Sequence, residues 1–220
     1  MTSSTTRATG EPDRHHTEAD PARLAPNDLA LFLGQWLRSP LRIGAVAPSS
    51  RHLARAVSCP LPEQGEPVVV ELGPGTGPFT AEIQRRLGGR GRHLAIELNP
   101  RLADLLRRRY PGAEVIQEDA KHLRRLLDER GIERADVVVS GLPWTLFPAA
   151  DQRQLMDATT AILGPYSAFT AFTYLHAVPL SSARRFRDLL ADRFEEVIPS
   201  RTVWRNWPPA FVLHARRPRS

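Results

Sequence analysis

The chain has 220 residues, 41% of them apolar and 25% charged, with 30 Lys+Arg against 24 Asp+Glu for a formal charge of +6. That length suits one domain of ordinary size with a proper core, and the composition makes most of it globular. A single cysteine, Cys59, excludes an internal disulfide and any multi-Cys metal site, and no apolar run approaches the roughly 20 residues of a membrane-spanning helix. The N-terminus lacks the basic-then-apolar pattern of a signal peptide, so the expected address is the cytoplasm. Twenty-nine of the thirty basic residues are Arg, and Lys121 is the one Lys. Arg binds phosphate through a planar fork, so an anionic partner is in view from the start.

Residues 1–27 contain no Phe, Trp or Tyr and are rich in Ser, Thr, Pro and charge, which reads as a disordered tail. They hold three Arg and four acids, so the net positive charge belongs to the remainder. His15-His16 in that tail reads as polar filler rather than as a metal site. A helix is expected from Asp28 to Arg38, capped by Asn27, because Leu29, Phe32, Leu33, Trp36 and Leu37 share one face. Arg38 and Arg42 follow it. Ser49 or Ser50 would cap a second helix running through Arg51 to Val57. Residues 28–66 thus form an N-terminal helical cap, and residues 67–220 the main domain.

From Pro67 the pattern alternates. Strands are expected at Pro67–Leu72, His93–Leu98, Ala113–Gln117, Ala135–Ser140, Ala168–Tyr174, Phe194–Pro199 and Ala210–Ala215. Helices are expected at Pro78–Leu87, Pro100–Tyr110, Ala120–Arg130, Asp151–Leu163 and Ser182–Ala191. Short connections between alternating strands and helices mean an α/β fold. Its seven-stranded sheet is mainly parallel, with helices on both faces and the last strand antiparallel.

The sharpest motif is Glu71-Leu72-Gly73-Pro74-Gly75-Thr76-Gly77-Pro78, a strand running through three glycines into a helix. Small residues there let the backbone approach a ligand, and the helix start orients it. The spacing is G-x-G-x-G rather than the dinucleotide G-x-G-x-x-G, and Glu71 would repel a pyrophosphate but suits a ligand with an amino group. Glu97 ends the second strand, 22 residues after Gly75, where a carboxylate receives two ribose hydroxyls. Asp119 and Ala120 follow the third strand, placed to meet an adenine amino group. Ser140-Gly141-Leu142-Pro143-Trp144 follows the fourth. All four lie at the carboxyl ends of successive strands, where open α/β sheets bind ligands.

On these residues the stretch Val68–Ala215 resembles the class I S-adenosylmethionine-dependent methyltransferases, with their Rossmann-like fold. The resemblance implies S-adenosyl-L-methionine as cofactor. It places the methionine part on the Gly73, Gly75, Gly77 loop after Glu71, the ribose at Glu97, and the adenine at Asp119 and Ala120, with Ser140 nearby. The Gly141–Trp144 turn is similar to the N-L-P-Y-like turns of adenine dimethyltransferases. In those, oxygens of the turn accept from the target amine and an aromatic ring stacks on it. Ser140 departs from their pattern. Trp144 would supply cation–π contact to a methylated nitrogen.

Two flanking segments bear on the substrate. Leu37–Ser50 (LRSPLRIGAVAPSS) and Val203–His214 (VWRNWPPAFVLH) resemble the soluble, peripheral phospholipid N-methyltransferases of bacteria, which methylate phosphatidylethanolamine. With that resemblance the Leu29–Leu37 face becomes a membrane-interface helix, lying on the inner face of an anionic membrane. Arg38 and Arg42 would meet anionic headgroups at about 1 kcal/mol each. Ser49 and Ser50 would bind a lipid phosphate at a helix start, Leu142 and Pro143 would line the amine's approach, and Arg205 and Asn206 would contact the headgroup. Phe172-Thr173-Tyr174 also matches, but Leu175-His176 stands where the family often has Gly-Pro. Tyr174 would orient the amine, and His176 would take the proton released, as water also can. No metal is expected. The rivals are an RNA or DNA adenine methyltransferase, a small natural-product methyltransferase, and a non-catalytic binding module. Intact Glu71, Glu97 and Asp119 count against the last, and the residues spent on an amphipathic helix count against nucleic acid.

Overall fold

A computed structural model describes residues 49–219 of the chain. The expected tail, the Asp28–Arg38 helix, and Arg38 and Arg42 lie outside the described residues. The first described element is helix α1 (Arg51–Val57), where the Ser50 hydroxyl accepts from the Leu53 amide at 3.2 Å as an N-cap. The strands and helices then alternate: β1 (Val68–Leu72), α2 (Pro78–Leu87), β2 (Arg92–Ile96), α3 (Pro100–Arg109) and β3 (Glu114–Ile116). After α4 (Leu123–Asp128) come β4 (Ala135–Ser140), α5 (Ala149–Thr160) and β5 (Leu163–Tyr174). The chain closes with α6 (Ser181–Arg193), β6 (Phe194–Pro199) and β7 (Ala210–Pro218).

Local chemistry explains these boundaries. The β-branched run Val68-Val69-Val70 favours a buried strand. Asn99 accepts from the Arg101 and Leu102 amides, and Pro100 opens α3. Gly88, at φ 58°, ends α2 in the left-handed conformation. The expected single helix from Ala120 is instead a 3₁₀ turn (Ala120–His122) followed by α4, because the Asp119 side chain caps the turn by accepting from Lys121 N. Strand β5 starts five residues before its expected start at Ala168. Ser167 Oγ donates to Ala135 O at 2.6 Å and accepts from Gly164 N at 2.8 Å, which carries an irregular Gly-Pro stretch along β4 as a bulge.

The sheet order is β3-β2-β1-β4-β5-β7-β6. Strands β1 to β5 run parallel, and β7 inserts antiparallel between β5 and β6. This is the Rossmann-like methyltransferase architecture expected, with helices on both faces. One face buries Leu72, Ile96, Trp144, Phe169 and Phe186 under α4, α5 and α6. The other buries Leu53, Val57, Leu61, Phe79, Ile83 and Phe172, so α1 and the segment after it pack into the same core as α2. The carboxyl ends of β1, β2, β4 and β5 meet at one rim. The loop before β7 joins them there, because Ala210 pairs with Tyr174, the last residue of β5.

Candidate cofactor and acceptor site

The Gly-rich loop leaves β1 and is held on both sides. Gly73 N donates to Ile96 O at 2.9 Å, and Gly141 N donates to Leu72 O at 2.8 Å. A methyl group on Gly141 would stand 2.6 Å from Gly73 O, so loop and turn touch backbone to backbone. Gly77 adopts φ 91°, and a methyl there would stand 2.4 Å from the Tyr110 ring. Packing against the neighbouring loop and the end of α3 therefore requires glycine at 141 and 77, whatever the ligand.

Glu97 sits 3% exposed beneath this loop. Its Oε2 accepts from Gly75 N at 3.0 Å and its Oε1 from Asn99 N at 2.9 Å. A carboxylate offers about four lone-pair positions, so two remain for hydroxyl donors. Burial pushes its pKa up, the two amide hydrogen bonds pull it down, and the Glu71 charge nearby adds to the rise. Glu71 is fully buried. Its Oε2 accepts from Thr80 Oγ1 at 2.8 Å and faces His93 Nε2 at 3.1 Å, while its Oε1 has no hydrogen-bond partner. Gln84 Nε2 lies 2.9 Å from His93 Nδ1 and also donates to Gly112 O at 3.3 Å, so the ring presents N–H to Glu71. Two buried carboxylates, one with an orphaned oxygen, beside a glycine cradle fit a ligand bearing hydroxyls and an ammonium. S-adenosylmethionine carries both.

The supporting side chains Thr80, His93 and Gln84 were missed at the level of sequence. The available signal was parity: His93 stands on the Glu97 side of β2, between apolar Leu94 and the strand start. Asp119 Oδ1 accepts from Lys121 N at 2.9 Å, and Ala120 opens the 3₁₀ turn beside it. Lys121 Nζ in turn reaches Asp151 Oδ1 at 2.8 Å, tying the turn after β3 to α5.

The acceptor side corrects several expectations. Trp144 is 1% exposed, stacked on Phe186 at 4.7 Å and edge-on to Phe169. Its indole N–H donates to Ser140 Oγ at 2.8 Å. The ring belongs to the core, packed among Phe147, Phe169 and Phe186, which leaves no open face for the cation–π contact expected of it. Ser140 is fully buried, and its hydroxyl also receives the Leu142 amide, making it a brace for the turn. Leu142 and Pro143 remain half-buried at the rim.

Asn206 is 3% exposed and fully committed: Oδ1 accepts from Ser50 N at 2.9 Å, and Nδ2 donates to Pro208 O at 2.7 Å. The headgroup contact expected of Asn206 and the phosphate contact expected of Ser50 are therefore replaced by a structural tie between them. Ser49 is half-buried, and Arg205 is exposed. Tyr174 is half-buried, edge-on to Phe172 and stacked on exposed His176 at 5.5 Å. Burial holds its phenol pKa above the usual range, so it stays a protonated donor.

Among the described residues there is no group of three His, Cys, Asp or Glu able to hold a metal, and no helix long and apolar enough to cross a membrane.

Residues 69–166 match the family model described as a methyltransferase domain. The chain is 38% identical over 192 residues to an ornithine lipid N-methyltransferase from Singulisphaera acidiphila, covering 86% of this chain and 96% of that protein. Solved structures share the fold. An O-methyltransferase from Bacillus cereus in complex with SAH is similar at TM-score 0.58 and 15% identity, over 86% of this chain and 90% of that one. A TehB-like SAM-dependent methyltransferase from Corynebacterium glutamicum is similar at TM-score 0.54 and 13% identity, over 87% and 99%.

Proposed function

The chain belongs to the S-adenosylmethionine-dependent methyltransferases, and from that premise we propose that it methylates the amino group of a membrane amino-lipid. The observation that carries this reading is the similarity to an ornithine lipid N-methyltransferase along 96% of that relative. Phosphatidylethanolamine is the acceptor we take first, because the Leu37–Ser50 and Val203–His214 segments resemble enzymes that use it. The protein would work as a peripheral enzyme on the cytoplasmic face of an anionic membrane.

Bound S-adenosylmethionine supplies a methyl group on a positively charged sulfur, which passes to a neutral amine with release of one proton. In this reading Glu97 receives the ribose hydroxyls, Asp119 and Ala120 meet the adenine, and the Gly73, Gly75, Gly77 loop with Glu71 receives the methionine end. The protein's task at the acceptor is alignment and proton removal. The Leu142-Pro143 turn and the Tyr174 hydroxyl orient the amine. Exposed His176, stacked on Tyr174, takes the proton or passes it to water. Arg205 and Arg38 meet the lipid phosphate.

The test incubates the protein with methyl-labelled S-adenosylmethionine and one of three acceptors: anionic vesicles containing phosphatidylethanolamine, the same vesicles containing an ornithine lipid, or total RNA. Label in phosphatidylethanolamine supports the reading. Label in the ornithine lipid alone replaces the acceptor and keeps the class. Label confined to RNA sinks it.

A further inference from the structure

Six large apolar side chains stand exposed among the described residues: Leu146, Tyr166, Leu180, Ile198, Trp204 and Trp207. Four of them gather at the carboxyl rim. Leu146 is on the 3₁₀ turn after β4, and Leu180 immediately precedes α6, which follows β5. Trp204 and Trp207 project from the loop before β7, at 73% and 78% exposure. That loop is internally fastened. Val203 N donates to Ala210 O at 2.7 Å and Asn206 N to Val203 O at 3.2 Å, while Leu175 N reaches Pro209 O at 2.9 Å. With Asn206 also tied to Ser50, the two indoles are held outward on a braced support.

In the described segments on this side of the rim, charge has one sign. Residues 49–62, 141–150, 174–187 and 200–218 contain no Asp or Glu at all. They carry exposed Arg51, Arg184, Arg185, Arg201 and Arg205. The acids of the site, Glu71, Glu97 and Asp119, lie on the other half of the rim, at β1, β2 and β3. Indole has an apolar body and one N–H, which suits the boundary between acyl chains and headgroups, and Arg suits the phosphates above it. An anionic bilayer satisfies two splayed Trp beside Arg side chains that no described acid pairs with, as water alone does not.

We propose that the Trp204–Trp207 loop is a membrane-insertion element: its two indoles enter the headgroup layer of an anionic bilayer while Arg201 and Arg205 pair with lipid phosphates. Docked in this way, the carboxyl rim faces the membrane, and a lipid amine reaches Tyr174 and the Leu142-Pro143 turn without leaving the bilayer. The proposal rests on the lipid reading above and adds the surface that serves it.

The test uses the full chain carrying Trp36→Phe, which leaves buried Trp144 and the two loop residues as the fluorophores. Vesicles of phosphatidylglycerol with brominated acyl chains, free of any amine lipid, are titrated in. Insertion is read as quenching and a blue shift of the loop indoles. Trp204→Ser with Trp207→Ser added should abolish the quenching and weaken vesicle binding about tenfold, with binding of S-adenosylhomocysteine unchanged. Arg201→Glu with Arg205→Glu, retaining both Trp, should weaken binding at low salt and serves if the serine variant does not fold. Vesicle binding without quenching overturns the proposal, as does a serine variant that binds like its parent. A serine variant that converts a lipid-free dimer to a monomer also overturns it, since the face would then be a self-interface. Quenching without methylation of any lipid would retain the docking surface and defeat the lipid reading. Undiminished methylation of vesicle lipid by a serine variant would do the reverse.

Discussion

The amide of Ser50 donates to Oδ1 of Asn206 at 2.9 Å, joining the start of α1 to the loop before β7 across 156 positions of sequence. The same side chain donates to Pro208 O, so one buried amide holds both flanking segments at the carboxyl rim. Asn206→Ala leaves the partly buried Ser50 N–H and Pro208 carbonyl without partners. Because both are only partly buried, it should cost about 1–2 kcal/mol of stability, read from urea unfolding. Arg205→Ala, exposed beside it, should leave the unfolding midpoint within error and lower turnover on anionic vesicles.

In its proposed role at the ribose, Glu97 would link cofactor binding to pH. Its folded pKa is raised by burial, so the folded apo protein keeps this proton to higher pH than the unfolded chain does. Its contribution to stability is therefore full below the ordinary glutamate range and is lost as pH rises through the raised value. Cofactor affinity runs the opposite way, since the ionised form accepts hydroxyl hydrogens best. Calorimetric titration with S-adenosylhomocysteine should show affinity falling on acidification at a pH above that of an ordinary carboxylate. Glu97→Ala should bind about tenfold to a hundredfold more weakly, with that pH dependence gone.

Gly141→Ala places a methyl group 2.6 Å from Gly73 O, against backbone that cannot swing aside. The Gly-rich loop must shift. Binding of S-adenosylhomocysteine should fall at least about tenfold and stability by about 1–3 kcal/mol. A normal titration for this variant would show that the loop tolerates displacement.

Trp144 is a core residue, and its variants should behave accordingly. Trp144→Ala removes a ring packed on Phe147, Phe169 and Phe186 and should cost about 3–5 kcal/mol. Chemical denaturation checks this. A variant with wild-type stability and a selective loss of turnover would restore the cation–π role.

Tyr174→Phe removes a hydroxyl at the acceptor rim without emptying its space. In its proposed role the hydroxyl makes one hydrogen bond to the amine, and losing it, about 1 kcal/mol, should lower turnover about fivefold. Affinity for S-adenosylhomocysteine should not change. Equal losses in both would place the hydroxyl on the cofactor instead.

The gathering of the proposed cofactor residues at one rim was legible in the sequence because their signals are local. A glycine loop, a strand-end acid and a second acid one βα unit later each occupy a short segment, and parallel alternation brings strand ends to one rim. Binary patterning likewise determined the number of strands and their order along the chain. The early start of β5 was not legible, because a Gly-Pro stretch carries no strand signal until Ser167 pins it to Ala135. Nor was the function of side chains whose partners are remote. Trp144 and Asn206 stood in segments that resemble substrate-binding ones, yet tertiary packing turned the first into the core and committed the second to Ser50. His93 read as one polar residue in a strand, and the fold made it the buried neighbour of Glu71. Local sequence decides which backbone conformations are cheap and which residue types a ligand would meet. Burial and long-range hydrogen bonds decide which of those side chains remain available, and they depend on pairings that no single segment contains.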